Sequence, residues 1–297
     1  MAAPTELRVI GRGALAGVLT GIVAFVFARI WAEPQINKAI AYETGRDHWL
    51  ARLDKAAGRP VTPDGPEIFS RHVQSTAGLA TGVIGFSTAM GALVAVVYLV
   101  LHGRFSVRPR TLALLVAGFG FLGVYAMPFV KYPANPPAIG HSFTVATRSA
   151  LYLTLVISSL VLLGLGAFLG RRLQPRFGAF RATLLAAAAV LVVFSVLIGV
   201  LPSLGDLHAN VVHANRFGYA RASTETPQPI TDLQGRLVYP GFPADVLWKF
   251  RWYSLLDQLL IWTGIGLVFS ALLERVIGRA PGLTVQQVLD GGESAAV

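Results

Sequence analysis

Six long apolar runs, at roughly residues 9–32, 77–101, 111–130, 147–170, 182–203 and 253–273, dominate this chain of 297 residues. Each is about 20 residues or longer. At a rise of ~1.5 Å per residue, that length crosses the ~30 Å hydrocarbon core of a bilayer as a helix. Charged side chains gather between the runs rather than within them. A β-barrel would show short alternating segments, whereas Leu185 to Val193 is continuously apolar. The expected fold is therefore all-α: a polytopic helical membrane protein with about six transmembrane helices and two sizeable outer loops, 33–76 and 204–252. Residues 1–278 read as one transmembrane domain and 279–297 as a flexible cytoplasmic tail.

Charge sets the expected orientation. Charged residues make up only 13% of the chain, yet the formal net charge is +10. The two ends and alternate loops carry Arg8, Arg12, Arg104, Arg108, Arg110, Arg171, Arg172, Arg176, Arg181, Arg275 and Arg279, against Glu6, Glu274, Asp290 and Glu293. Short Lys/Arg-rich segments stay on the cytoplasmic side, so both termini are expected there. The basic balance is a topology signal, and no nucleic-acid partner is expected. Arg8 and Arg12 precede the first run, but that run is too long for a secretory leader and Ile30-Trp31-Ala32 is a poor cleavage site. It reads as an anchor.

Several reaction classes fall away. The chain has no cysteine, which removes disulfides, zinc–thiolate sites and iron–sulfur clusters. No Gly-x4-Gly-Lys-Ser/Thr loop is present, so ATP hydrolysis by the P-loop route is excluded. No pair of histidines sits inside the runs to hold a haem, and no intramembrane carboxylate pair suggests a hydrolase. The protein is not expected to be an enzyme, and no cofactor is expected.

Within the runs, Gly13, Gly17 and Gly21 fall four apart on one helical stripe, a spacing that lets two helix backbones approach closely. Gly78 with Gly82 and Gly166 with Gly170 repeat it. Glu33-Pro34 is expected to open a separate amphipathic helix over 35–57, and the third run to end at Pro128. Lys131-Tyr132-Pro133-Ala134-Asn135-Pro136-Pro137 predicts a rigid extended connection. Thr144 is a plausible N-cap for the fourth run. The cluster Trp248 to Trp252 suits a lipid–water interface.

The segments Arg12-Gly13-Ala14-Leu15-Ala16-Gly17, Glu33-Pro34, Ala39 to Glu43, Lys131 to Gly140, Arg148 to Tyr152, and Gly241 to Asp245 with Phe250-Arg251 carry a resemblance. From about residue 8 to about 274, the chain resembles the predicted cobalt transporter subunit CbtA family of bacterial membrane proteins. The resemblance implies a part in cobalt uptake, linked to cobalamin biosynthesis, in the bacterial inner membrane. It also implies a small membrane partner, CbtB, with a histidine-rich end. Members of that family are generally described with five spans, against the six runs here.

Cobalt would be a transported ion, and a divalent cation without thiolates favours imidazole nitrogen and carboxylate oxygen. Asp206, His208 and His213 form the nearest sequence cluster. An offset of five separates the two imidazoles on a helix or a strand, so the bland alternative is a solvated loop. Glu33, Glu43, Asp245, Asp257, His141 and Asn135 are the cation-pathway candidates, because charge at membrane depth is costly and demands a reason. Each has its plain alternative, a solvated face or a turn residue. Arg29 lies four residues before Glu33 and could pair with it; snorkelling is the alternative. Asp257 could attract a cation or pair with Arg251 or Arg148. Lys131 suits a structural or gating contact with Glu33, Glu43 or Asp245. The functional expectation is a permease subunit for divalent cations without its own ATPase. The alternative is an assembly subunit that orients a partner without conducting metal.

Overall fold

The computed structural model describes residues 5–60, 68–105, 107–217, 221–232 and 234–277; the tail expected at 279–297 lies outside them. In chain order, α1 is Thr5–Phe27, α2 Glu33–Ala56, α3 Arg71–Val73, α4 Leu79–Leu101 and α5 Pro109–Gly120. They are followed by α6 Met127–Lys131, α7 Val145–Val200, α8 His208–Phe217 and α9 Ala244–Ile277. A short antiparallel ladder pairs β1, Ile230–Thr231, with β2, Leu237–Tyr239. Five helical stretches are long and apolar enough to cross a membrane: Glu6–Ala56, Arg71–Leu101, Pro109–Lys131, Ser142–Asn215 and Ala244–Leu273. The protein is an all-α membrane protein.

The fourth stretch holds two of the six apolar runs. Gly178 inside α7 has φ 75° and ψ 165°, which is not helical, and Pro175 lies just before it. A Cβ at Gly166 would strike the Val190 side chain, and one at Gly170 would lie 3.5 Å from the Ala186 Cβ. Gly178 is midway along the chain between the partners of each pair, so the two arms of α7 run back along one another. Glycine alone takes that positive φ without a Cβ penalty.

Two prolines expected at helix boundaries lie inside continuous helix. Pro34 follows a π segment, Ala28–Ala32, that carries α1 directly into α2, so 35–57 is no separate helix. Pro128 follows a second π segment, Phe121–Ala126, and the helix continues to Lys131. A proline removes one amide donor and crowds the carbonyl four residues earlier. A wider turn relieves that crowding. At Pro128 that carbonyl, Val124 O, accepts the Tyr152 hydroxyl at 3.2 Å.

The chain divides into two compact units. One comprises Met1–Phe25, Gly78–Gly120 and Leu259–Val297. Its core is built from small residues: a Cβ at Gly13 would strike the Gly91 carbonyl, one at Gly17 the Ser87 carbonyl, and one at Gly21 would lie 2.9 Å from the Ile84 Cα. Ala16, Ala95 and Ala113 are fully buried, with Ile265 and Phe269 supplying bulk from α9. The glycine stripe of α1 therefore lies against α4 at backbone contact. Gly82 faces open space, so the 78–82 repeat is not a packing stripe.

The second unit comprises Val26–Ala77 and Phe121–Gln258. Ala39 and Tyr42 of α2 pack with Ile139, Phe242 and Val246. Tyr42 Oη donates to Pro240 O and Tyr239 Oη to Tyr42 O, each at 3.0 Å. Tyr132, Leu155, Phe194, Leu204 and Leu207 form a second cluster, and Tyr132 Oη donates to Pro202 O at 2.9 Å. Together these contacts lock the polar segments onto the helices that flank the cleft described next.

Candidate functional site

In this second unit a cleft of about 640 Å³ opens between α2, residues 138–143 and residues 205–231. Glu43, Arg46 and Asp47 line it from successive positions of α2, and His141, Asn210, Arg221 and Glu225 line it from the other segments. Ala138, with φ 70°, and Glu225, with φ 58°, both lie in its wall. They are the non-glycine residues with positive φ among those described. Such backbone is held only where surrounding contacts over-determine it.

Glu225 supplies those contacts and is only 3% exposed. Its Oε2 accepts from the His141 amide and the Thr144 hydroxyl, both at 3.1 Å, and lies 3.5 Å from Arg148 Nε. Its Oε1 accepts from Asn210 Nδ2 at 2.6 Å. The same Nδ2 donates to Leu204 O at 2.7 Å. Both partners can only accept, so the amide orientation is fixed and Asn210 Oδ1 is left buried without a donor. Thr144 begins α7 without a side-chain cap bond; its hydroxyl serves Glu225 and His141 O instead.

Three rings lie parallel beside this network. Phe143 stacks on His213 at 3.7 Å between centroids and on His141 at 5.0 Å. His213 Nδ1 donates to Ala209 O at 2.8 Å. Burial pushes the His141 imidazole below its ordinary value; Glu225 opposes this, while Arg46, Arg148 and His213 add to it. On α2, partial burial pushes the Glu43 carboxyl up, and neighbouring Asp47 adds to it.

A second group of polar atoms lies in the apolar stretches. Asp257 Oδ1, Gln258 Oε1 and the Tyr125 hydroxyl are buried without a hydrogen-bond partner. Tyr125 is within electrostatic reach of both Tyr152 and Asp257. The two arginines expected as partners of Asp257 are engaged elsewhere. Arg251 Nη2 donates to Asn135 Oδ1 at 2.8 Å, and Arg148 Nη2 to His141 O at 3.2 Å.

The other sequence candidates scatter. Glu33 is 1% exposed and forms an ion pair with Arg71, not Arg29. The partner comes from α3, 38 residues further along the chain, rather than from the preceding turn. Arg71 Nε also donates to Asn37 Oδ1 at 3.1 Å. Asp245 is exposed and lies 3.5 Å from Lys249. Asn135 gives its amide oxygen to Arg251, so it is not free for a metal. Lys131 lies with Asn135, Ser203 and Thr224 around a small hollow of about 120 Å³, which none of the three carboxylates expected for it lines. Asp206 and His208 are exposed and His213 is stacked on Phe143. Among the described residues no group of three His, Cys, Asp or Glu side chains could hold a metal ion.

Glu225 and Asn210 were not visible as functional residues in the sequence. Both belong to the segment 205–238 and have no periodic or spacing signal. A glutamate between Thr224 and Thr226 reads as an exposed turn. The only hint lay in the polar richness of that segment.

Five helical stretches long and apolar enough to cross a membrane, with polar oxygens buried in them without partners, define a polytopic helical membrane protein. Residues 6–274 match the CbtA family, described as a probable cobalt transporter subunit. The chain belongs to that family. No curated protein and no solved structure matches the chain.

Proposed function

We propose that the protein is the membrane-embedded permease of a divalent-cation uptake system for cobalt, with no ATPase of its own. It lies in the bacterial inner membrane with both termini cytoplasmic and works with a small histidine-containing partner. Membership of the CbtA family supports the substrate. The observation that carries the pathway is Asp257: a carboxylate in an apolar helix, one oxygen buried without a partner, within electrostatic reach of Tyr125, whose hydroxyl is likewise unpartnered. Burying an uncompensated charge is expensive, so such a residue marks an ion pathway more often than a scaffold. Oxygen donors of this kind suit a hard or borderline divalent ion in passage rather than in permanent residence.

The test is cobalt flux into liposomes holding the purified protein, with and without the partner, for the wild type and Asp257→Asn. Flux that depends on Asp257 supports the permease. Flux unchanged by the substitution removes Asp257 from the pathway. Co-purification of the partner without flux under either condition favours an assembly subunit instead.

A further inference from the structure

The polar cleft of the second unit is built for something other than a bare ion. Both Glu225 oxygens are already engaged by His141 N, Thr144 Oγ1 and Asn210 Nδ2, with Arg148 alongside. The cationic groups Arg46 and Arg148 both act on His141. Glu43 and Asp47 line the same cleft as Arg46 and Arg221, so it presents both signs of charge, while no group of three His, Cys, Asp or Glu side chains among the described residues could hold a bare metal ion. A zwitterionic molecule meets a partner there for each of its charges. Arg46 Nε is buried with no hydrogen-bond partner in the wall of the cleft. The same side chain hydrogen-bonds Tyr42, and its unmet Nε–H is a ready donor to a planar carboxylate.

The second unmet group has the opposite need. Asn210 is 1% exposed, lines the cleft, and its fixed amide leaves Oδ1 able only to accept. An unsatisfied buried acceptor costs free energy until a donor arrives. The volume, about 640 Å³, lies in the range of small-molecule sites. We infer that the cleft binds a small amino carboxylate, its carboxylate on Arg46 and its N–H donors on Asn210 Oδ1, taken either free or as the chelate that delivers the metal cargo.

The test uses the full-length protein in lipid nanodiscs and calorimetric titration with L-histidine, with its cobalt(II) complex, and with cobalt(II) alone. Saturable binding of L-histidine or its complex is expected, and Arg46→Gln should weaken it about tenfold or more. The Nα-trimethyl derivative of histidine keeps the carboxylate and has no amino N–H. It should bind at least about tenfold more weakly to the unaltered protein, which tests Asn210 without a substitution. Binding only in the presence of cobalt assigns the chelate; binding of both assigns the free amino acid as well. No binding of either, or binding indifferent to Arg46→Gln or to trimethylation, overturns the inference. Cobalt flux that persists in Arg46→Gln, supplied as the simple salt, leaves the Asp257 pathway standing by itself, so the two proposals fail separately.

Discussion

Glu225 Oε2 sits 3.5 Å from Arg148 Nε, with the carboxylate side chain 1% exposed and the guanidinium side chain 26% exposed. The pair joins residue 225 of the polar segment 205–238 to the first turns of α7. The carboxylate accepts hydrogen bonds from three other groups as well. Removing one partner of a buried pair strands the other charge. Glu225→Ala and Arg148→Ala should each destabilise the protein by about 3 kcal/mol. The double variant should lose clearly less than the sum of the two. Denaturant titration of the detergent-solubilised protein reads all three values.

The glycine contacts of the first unit give a sharper contrast. A Cβ at Gly17 would fall on the Ser87 carbonyl, whereas one at Gly82 meets nothing within 4 Å. Backbone cannot yield as a side chain can, so α1 and α4 would have to part. Gly17→Ala should cost about 2 kcal/mol. Gly82→Ala should be neutral or slightly stabilising, because alanine is the better helix former. Thermal unfolding of the two variants side by side checks the difference.

Much of this was legible because lipid is a simple solvent. The apolar runs, the stripe of Gly13, Gly17 and Gly21, and the all-α class follow from hydropathy and helical spacing. The joints were less legible. Glu33-Pro34 reads as a helix start, and nothing local announces that a π turn carries the helix past it. The same holds at Pro128. Gly178 is one small residue in a charged stretch, yet it decides that two runs share one bent helix. The cleft was least legible, since Glu225 acquires its role from His141 and Thr144, 84 and 81 positions away, and Asn210 acquires its own through Glu225. Pairing Arg29 with Glu33 failed because Arg71, 38 residues on, takes the carboxylate, a contact that no helical spacing announces.

Tyr152 repairs the π segment before Pro128. Its hydroxyl donates to Val124 O at 3.2 Å, the carbonyl that the proline cannot serve. Tyr152→Phe keeps the ring and removes that donor. Hydrogen bonds of this kind between membrane helices are worth about 0.6 kcal/mol, rising to roughly 1.7. A loss within that range is expected, measured by reversible unfolding, with no change in helical content by circular dichroism.

His141 gives the cleft a pH dependence of definite sign. Burial, reinforced by Arg46, Arg148 and His213, holds its imidazole below the ordinary value of 6.5. The unfolded chain then binds more protons than the fold between that lowered value and 6.5. Stability therefore rises with pH across this window and is lost as the solution is acidified from its upper edge to its lower one. Unfolding midpoints between about pH 5 and pH 7.5 should show this slope in the wild type. The slope should be reduced in His141→Gln, whose backbone amide still serves Glu225.

Asp257 separates function from stability. Its Oδ1 has no partner, and the arginines within reach along the sequence are committed to Asn135, His141 and Glu225. Removing its charge strands nothing. Asp257→Asn should leave the unfolding midpoint unchanged or higher, since an uncompensated carboxylate at membrane depth is a cost to the fold. Cobalt uptake by cells expressing the variant should fall about tenfold or more if the carboxylate is the attractive step in the pathway. A structural carboxylate would give the opposite pattern, a lower midpoint with uptake reduced only in proportion to the amount of folded protein. Measuring both quantities on the same membranes tells the two apart.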